Sequence, residues 1–215
     1  MYKLTLALTF NEATNAARRE AITAGLKRAA TQPGIGKHFI SPTLPGVFFG
    51  GDVLAHYQFA DEAALNAAAA QIDGSFAAAD VSNVDRVVYP GAASGIAKPD
   101  LKDGVYRTLL LSVDKSASPA AVEAFEEDLR SMTRHVPAIR NWQLSRTKAG
   151  SGAMPWTHVW EQEYESIEGL MGPYMMHPCH WGMVDRWFDP EFPEGMINPR
   201  ICHTFVAAPS SVLAS

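Results

Sequence analysis

Two segments about a hundred residues apart carry the same pattern of hydrophobic and polar positions. Residues 3–10 and residues 105–113 place an apolar side chain at almost every second position, which is the period of a β-strand with one buried face. Each segment is followed by apolar residues at helical spacing, at 22–29 in the first half and at 122–136 in the second. The pattern therefore predicts the same strand and helix twice.

The rest of each half continues in the same order. After a second strand, third strands are predicted at residues 52–59 and 156–164, and second helices begin near Asp61 and Ser166. A short β-rich run closes each half. The order β-α-β-β-α-β is that of the ferredoxin-like fold, in which helices cover one face of an antiparallel sheet. We therefore predict an α+β protein of two ferredoxin-like repeats, whose uncovered sheet faces meet as an α+β barrel.

A stretch rich in Gly, Ala, Ser and Pro separates the two repeats. We divide the chain into a first repeat at residues 1–92, a linker at 93–103 and a second repeat at 104–215. All five Trp, seven of the eight Met and five of the seven His lie beyond residue 100. The second repeat is therefore predicted to carry the functional site and the first to serve as scaffold. A larger core in the second half is the alternative interpretation.

Composition and charge exclude several classes of protein. The 215 residues are 47% hydrophobic and 19% charged, as is typical of folded globular chains. A net charge of −5 without a basic stripe makes nucleic acid an unexpected partner. No apolar run approaches the roughly 18 residues of a membrane span, and no signal sequence is apparent, so we expect a cytoplasmic protein without membrane contact. Two cysteines fit a reducing compartment.

Side chains suited to ligand binding collect on the predicted strand at 156–164. Alternation places five of them on one face: Trp156, His158, Trp160, Gln162 and Tyr164. An aromatic face that also carries a histidine and an amide is typical of a pocket wall. A hydrogen-bonded core histidine is the alternative interpretation of His158.

The densest cluster of aromatic, histidine and methionine side chains begins at Tyr174. Pro178 favours the start of a new helix, with His180 in its first turn and with Trp181 and Val184 on its inward face. Burial and the helix N-terminus both favour a neutral imidazole. His180 is therefore suited to act as a general base.

Other chemistries find less support in the sequence. Five residues of ligand type occur late in the chain, but no CxxC pair or HExxH motif frames them: His177, Cys179, His180, Cys202 and His203. We therefore predict no metal and no cofactor. The glycines at 34 and 36 lack the third glycine of a dinucleotide-binding turn, and no elbow motif surrounds a serine or cysteine.

These residues resemble the stress-responsive dimeric α+β barrel (Dabb) family. The match covers about residues 104–207 and is closest at the Thr-His pair ending in His158 and in the run Tyr-Met-Met-His-Pro-Cys-His that ends in His180. In a plant polyketide cyclase of this family, the tyrosine and the last histidine of that run form an acid/base pair. The resemblance implies the same roles for Tyr174 and His180, and pocket roles for His158 and His177. Family members pair two chains, whereas here two repeats are expected to pair within one chain.

Arg107 departs from the family pattern, because the cyclase has a histidine on the inward face of its first strand. Arg107 is in phase with Leu109 and Leu111. An unpaired guanidinium is costly to bury, so Arg107 should meet either a carboxylate of the protein or the anion of a ligand.

The sequence thus favours a cofactor-independent acid/base enzyme, a lyase, cyclase or isomerase, acting on an aromatic or polyketide-like molecule in a pocket of the α+β barrel. Two residues are predicted to be catalytic, His180 and Tyr174. Seven are predicted to contact the substrate: His158, His177, Arg107, Trp160, Trp156, Trp181 and Gln162. The alternatives are a cofactor-free monooxygenase of the same fold, a non-catalytic ligand-binding stress-responsive protein and a haem-binding barrel. The expected partner is a small aromatic or phenolic compound, and a homodimer of fused repeats is compatible with this interpretation.

Overall fold

The computed structural model describes residues 1–214. The first half contains β1 (Tyr2–Phe10), α1 (Ala16–Ala29), β2 (Ile35–Pro42), β3 (Val53–Phe59), α2 (Glu62–Asp73), a 3-10 turn (Ala78–Asp80) and β4 (Val81–Pro90). The second half contains β5 (Ala93–Ile96), β6 (Lys102–Leu111), α3 (Pro119–His135), β7 (Asn141–Arg146), β8 (Ala149–Ser151), β9 (His158–Tyr164) and β10 (Cys202–Ser210). The predicted strands and first helices are present close to their predicted positions.

The helix predicted near Ser166 is not continuous. Residues 167–188, named the broken helix below, form a short helical turn (Ile167–Gly169), two π-helical turns (Leu170–Tyr174 and His180–Val184) and a 3-10 turn (Asp185–Phe188). Pro173 and Pro178 lie within this stretch, and proline lacks the amide hydrogen that a regular helix needs. The second half therefore has an irregular cover where the first half has α2.

Both halves have the same antiparallel strand order. The first sheet runs β2-β3-β1-β4, and the second runs β10-β6-β9-β7, which is the equivalent order. A fifth strand extends each sheet, because β8 pairs with β4 and β5 pairs with β7. Residues 93–96 of the predicted linker thus belong to the second sheet, and β8 from the second half completes the first. The α+β architecture with two antiparallel sheets is as predicted.

Helices cover the outer face of each sheet. In the first half, Leu4 and Leu6 of β1 pack in one apolar cluster with Ile22 and Leu26 of α1. In the second half, alternate residues of β6 pack with α3 and the broken helix in a separate cluster. No helix within residues 1–214 is long and apolar enough to cross a membrane.

The helix-free faces of the two sheets meet and form the barrel interior. Tyr89 from the first sheet packs with Val159 from the second. Lys3, 1% exposed, forms an ion pair with Glu161, fully buried on β9, at 3.1 Å. The hydroxyl of Tyr106 donates to the same carboxylate over 2.7 Å. The interior is therefore filled by side chains and holds a fully buried ion pair between the two halves.

Candidate active site

A cavity of about 280 Å³ lies between the second sheet and the broken helix. Arg107, Leu109 and Leu111 form its sheet side, since alternate residues of β6 face the helices. Tyr174 and His180 face it from the broken helix. Most of the remaining lining is apolar: Leu129, Met175, Val184, Phe188 and Ile201. An apolar cavity with a few placed polar groups is the usual form of a small-molecule site.

The location of this cavity corrects the expectation of a pocket inside the barrel. The barrel interior is occupied by the packed side chains of both sheets, whereas the broken helix does not close fully against β6. A larger and more open cleft of about 550 Å³ lies beside the broken helix, and Phe188 borders both spaces. No histidine, tyrosine or arginine lines that cleft, so the smaller cavity is the candidate site.

Tyr174 and His180 stand face to edge at the cavity. Their ring centroids are 5.0 Å apart and their ring planes cross at 74°. Tyr174 ends the first π-helical turn and His180 begins the second, so the two wide turns and the segment between them bring the rings together. Turns of this kind occur frequently at functional sites. The two predicted catalytic residues therefore share one cavity.

Asp185 is a neighbour of His180 that the sequence analysis missed. Its Oδ2 lies 3.4 Å from Nδ1 of His180, a close contact without hydrogen-bond geometry, and Nδ1 is buried without a hydrogen-bond partner among residues 1–214. In a regular helix, residues five apart do not share a face, so spacing gave no signal for this pair. The carboxylate is placed to orient the imidazole, as in many base and orienter pairs.

Arg107 has only neutral hydrogen-bond partners among residues 1–214. Its Nε donates to Nε2 of His203 over 2.7 Å, and its Nη1 donates to the hydroxyl of Tyr174 over 3.2 Å and to Oε1 of Gln162. The guanidinium also lies 4.9 Å from the centre of the Tyr174 ring. Arg107 is 2% exposed, so a cation is buried at the cavity wall beside the tyrosine.

His203 lines the cavity from β10, a position the sequence analysis considered only as a metal ligand. Burial first, and then the neighbouring Arg107 and His180, lower the pKa of His203 to about 2. The imidazole is thus neutral across the physiological range. Only the pairing of β10 with β6 brings His203 to Arg107, and that register is not readable from local sequence.

His158 is bound into the core at a different place. Its Nε2 lies 3.1 Å from Oε1 of Glu126 on α3, and its Nδ1 lies 2.9 Å from the hydroxyl of Thr157. Burial alone would raise the pKa of Glu126, but hydrogen bonds from His158 and Arg146 lower it to about 2. His158 does not line the cavity. Its placement matches the alternative interpretation of a hydrogen-bonded core histidine.

Several buried polar atoms in the second sheet have no hydrogen-bond partner in the part of the chain that the structure describes. They are Nε2 of Gln162, Nε1 of Trp160 and the hydroxyl of Tyr164. Gln162 touches Arg107, and the ring of Tyr164 lies 5.8 Å from that of Tyr174. Unsatisfied buried donors cost about 1–3 kcal/mol each, so these three atoms lower the stability of the second sheet.

Residues 105–197 match the family model of the stress responsive A/B barrel domain, Dabb. The match lies wholly within the second half of the chain. The matched segment begins on β6 and contains Arg107, Tyr174 and His180. No curated protein sequence matches the chain.

Three solved structures resemble nearly the whole chain and not only the segment that matches the family model. An anthrone oxidase-like protein has a TM-score of 0.67 at 12% identity, over 95% of this chain and 89% of that one. A candidate monooxygenase from Lactobacillus acidophilus has a TM-score of 0.55 at 11% identity, over 98% and 97%. One from Fusobacterium nucleatum has a TM-score of 0.59 at 8% identity, over 98% and 95%. At these identities the likeness shows the fold.

Three other predicted contact residues, all within residues 105–197, lie away from the cavity wall. His177 is half-buried, and its Nδ1 accepts from the backbone N–H of Cys179 over 3.2 Å. Trp181 is 56% exposed, contrary to the predicted inward face, because the wide π-helical turn redirects it. Trp156 precedes β9 and points into the barrel, where its Nε1 donates to Asp85 over 2.9 Å. Substrate contact by these three residues remains a prediction.

The residues considered as metal ligands do not converge. Within residues 1–214, no group of three or more His, Cys, Asp or Glu side chains is arranged to hold a metal ion. Cys202 and His203 are adjacent on β10 and so point to opposite faces, Cys202 into the barrel and His203 into the cavity.

Proposed function

We propose that this protein is a cofactor-independent enzyme that acts on a small aromatic or polyketide-like molecule by acid/base chemistry, as a lyase, cyclase or isomerase. The observation that carries the proposal is the pair of Tyr174 and His180, whose rings meet 5.0 Å apart at an apolar cavity. A hydroxyl and an imidazole on one reacting centre can move a proton in both directions.

In this proposal His180 takes a proton from a carbon next to a carbonyl group. The electron pair moves to the carbonyl oxygen, which receives the proton of the Tyr174 hydroxyl. That hydroxyl accepts a hydrogen bond from Arg107, so its own proton is free to be donated, and the guanidinium stabilises the phenolate that forms. Aldol closure, retro-aldol cleavage and isomerisation all pass through such an enol.

The size and lining of the cavity support an aromatic substrate. A cavity of roughly 150 Å³ lined by aliphatic side chains can hold benzene. The cavity here, at about 280 Å³, accommodates one substituted ring. Leu109, Leu111 and Leu129 supply the apolar surface for such a ring.

Proton exchange tests the proposal before the natural substrate is identified. The α-hydrogens of acetophenone and its hydroxylated derivatives should exchange in D₂O faster with the protein than in buffer, as followed by NMR. His180→Ala and Tyr174→Phe should each lower the exchange rate by about 10² to 10⁴, the usual contribution of a general acid or base. The exposed His135 on α3 offers a matched control, and His135→Ala should exchange like the wild type. Unchanged exchange with His180→Ala contradicts the proposal.

A cofactor-free monooxygenase is the second candidate, because the same pair would form a substrate carbanion that reacts with oxygen. The solved structures that resemble the whole chain are named as anthrone oxidase-like and as monooxygenases, although that likeness shows only the fold. Oxygen uptake that depends on substrate and on His180 would favour it. EDTA should not affect exchange or uptake; a loss restored by one added metal would instead support a metal-dependent mechanism.

A further inference from the structure

Two cationic side chains, Lys3 and Arg107, are buried within residues 1–214, and only Lys3 has a carboxylate partner there. Lys3 has the carboxylate of Glu161 at 3.1 Å. Arg107 forms no ion pair with any carboxylate of residues 1–214, and its three partners are neutral. Asp185 borders the same cavity but lies beside His180. A buried cation normally has a counter-charge, so the cavity is the place where the charge of Arg107 can be balanced.

The guanidinium is held in a defined orientation. A guanidinium only donates, so Nε2 of His203 must be an acceptor, and the neutral ring then carries its proton on Nδ1. The low pKa of His203 agrees with this assignment. Oε1 of Gln162 and the Tyr174 hydroxyl take Nη1, which leaves Nη2 without a partner among the described residues. The guanidinium is thus held by hydrogen bonds from Nε and Nη1, and Nη2 remains available to a ligand.

The donors around Arg107 are also unsatisfied. Nε2 of Gln162 and the hydroxyl of Tyr164 are buried and have no hydrogen-bond partner among residues 1–214. Arg107 lines the cavity whereas Gln162 and Tyr164 lie behind its wall, so the unpaired N–H groups of Nη2 are the donors that a ligand in the cavity can reach. A planar carboxylate suits a guanidinium fork, because its two oxygens can accept in parallel.

We infer that Arg107, held in place by His203, binds a carboxylate group of the ligand, so that the substrate of this cavity is an aromatic acid. The inference rests on the proposed acid/base site for its location but not on its chemistry. Arg107 is the residue that touches the ligand, and His203 is a positioning residue.

The probe is benzoate, with benzamide as a neutral molecule of nearly the same shape. We expect benzoate to bind the wild-type protein in calorimetric titration and to raise its melting temperature, and benzamide to bind at least tenfold more weakly. Arg107→Lys should weaken benzoate binding at least tenfold, because a point charge replaces the fork. Arg107→Gln should bind benzoate and benzamide equally. Arg134→Gln is the matched control, since Arg134 is 69% exposed and pairs with Glu127 on the surface.

The role of His203 is tested by an acceptor series. His203→Gln keeps an acceptor for Nε of Arg107 and should retain benzoate binding within about threefold, whereas His203→Leu should lose tenfold or more. Equal losses in the two variants, with unchanged circular dichroism, would overturn the positioning role.

Three results would overturn the carboxylate site: no benzoate binding by the wild type at millimolar concentration, equal binding of benzoate and benzamide, or full benzoate binding by folded Arg107→Lys. If Arg107→Gln does not fold, the wild type and Arg107→Lys decide. The acid/base function is contradicted on its own if benzoate binding depends on Arg107 as expected but His180→Ala exchanges protons at the wild-type rate. The carboxylate site is contradicted on its own if proton exchange of neutral ketones depends on His180 but the affinity for benzoate does not depend on Arg107.

Discussion

Equivalent positions in the two sheets carry an apolar pair in the first half and a polar, charged pair in the second. Tyr57 and Gln162 each lie four residues before the N-cap of the second helical segment of their half. Across the strand pairs, Tyr57 is opposite Leu4, and Gln162 is opposite Arg107. Leu4 is fully buried in an apolar cluster and the hydroxyl of Tyr57 donates to a backbone carbonyl over 3.1 Å, whereas Arg107 lies buried at a cavity.

The covers of the two sheets explain this difference. α2 is an unbroken helix of 12 residues without proline, and Leu65 and Ile72 seal its sheet. The broken helix contains two prolines and leaves space over β6. One framework therefore makes either a closed core or a binding cavity, depending on whether its second helix is continuous.

The largest expected effect concerns the buried cation that does have a partner. Lys3→Met leaves the carboxylate of Glu161 buried without its ion pair, so we expect a loss of about 3–5 kcal/mol in the free energy of unfolding. Urea denaturation measures it. Arg107→Gln is the matched variant at the other buried cation. It leaves no carboxylate of residues 1–214 unpaired, so we expect it to cost less than Lys3→Met, and an equal loss would mean that the two cations are held alike.

Two variants control the Lys3 measurement. Lys98→Met removes an exposed ion pair with Glu165 and should cost at most about 1 kcal/mol. The double variant Lys3→Met with Glu161→Leu should recover most of the loss, because no unpaired charge remains. A double variant as unstable as the single one would assign the loss to packing.

The pH dependence of stability compares a buried histidine from each half. Burial first, and then Lys3 and Lys37, hold the pKa of His56 well below its ordinary value of 6.5, and the pKa of His203 is lowered to about 2. Unfolding lets both rings take up protons below pH 6.5, so stability should fall as the pH drops from 6.5 to 5. The expected slope is up to about 1.4 kcal/mol per pH unit for each proton.

Removing one histidine should remove its share of that slope. Between pH 7 and 5, the free energy of unfolding of His203→Gln should change with pH about half as steeply as that of the wild type. This range lies above the ordinary titration of carboxylates, including Glu126. A slope equal to that of the wild type would mean that His203 is protonated in the folded state.

The smallest expected effect is a difference in stability between two equivalent substitutions, one in the packed core under α2 and one at the cavity under the broken helix. Leu8 on β1 and Leu111 on β6 lie four residues beyond Leu4 and Arg107 in equivalent strands, and both are fully buried. Leu8→Phe should cost about 1–3 kcal/mol, because a packed core cannot take the larger ring. Leu111→Phe should cost less, because its ring can enter the cavity, and it should block benzoate binding. Equal losses from both variants would mean that the cavity is not available space.

Much of the framework could be predicted from local patterns. Alternation located β1 and β6, and helical spacing identified Ile22, Leu26 and Ala29 as the buried side of α1. These inferences use periodicity or spacing within a short segment, where the covalent chain itself limits the geometry. The pairing of Tyr174 with His180, which share a cavity, was implied by the family resemblance of the run that contains them.

Other features depend on contacts between distant segments. The exchange of β5 and β8 between sheets, the contact of Arg107 with His203, and the barrel-facing position of Trp156 follow from strand register and sheet packing. The wide π-helical turns expose Trp181 and place Asp185 beside His180, which the spacing of a regular α-helix would not predict.

The sequence by itself determined the order of elements, the α+β class and the half of the chain that carries a histidine and tyrosine cluster, because these depend on residue types and short-range periods. Only the tertiary structure decided that the cavity lies under the broken helix and that Arg107 has no carboxylate partner among residues 1–214. A sequence shows which charges exist, but the balance of a buried charge depends on which groups from distant strands come within a few ångströms of it.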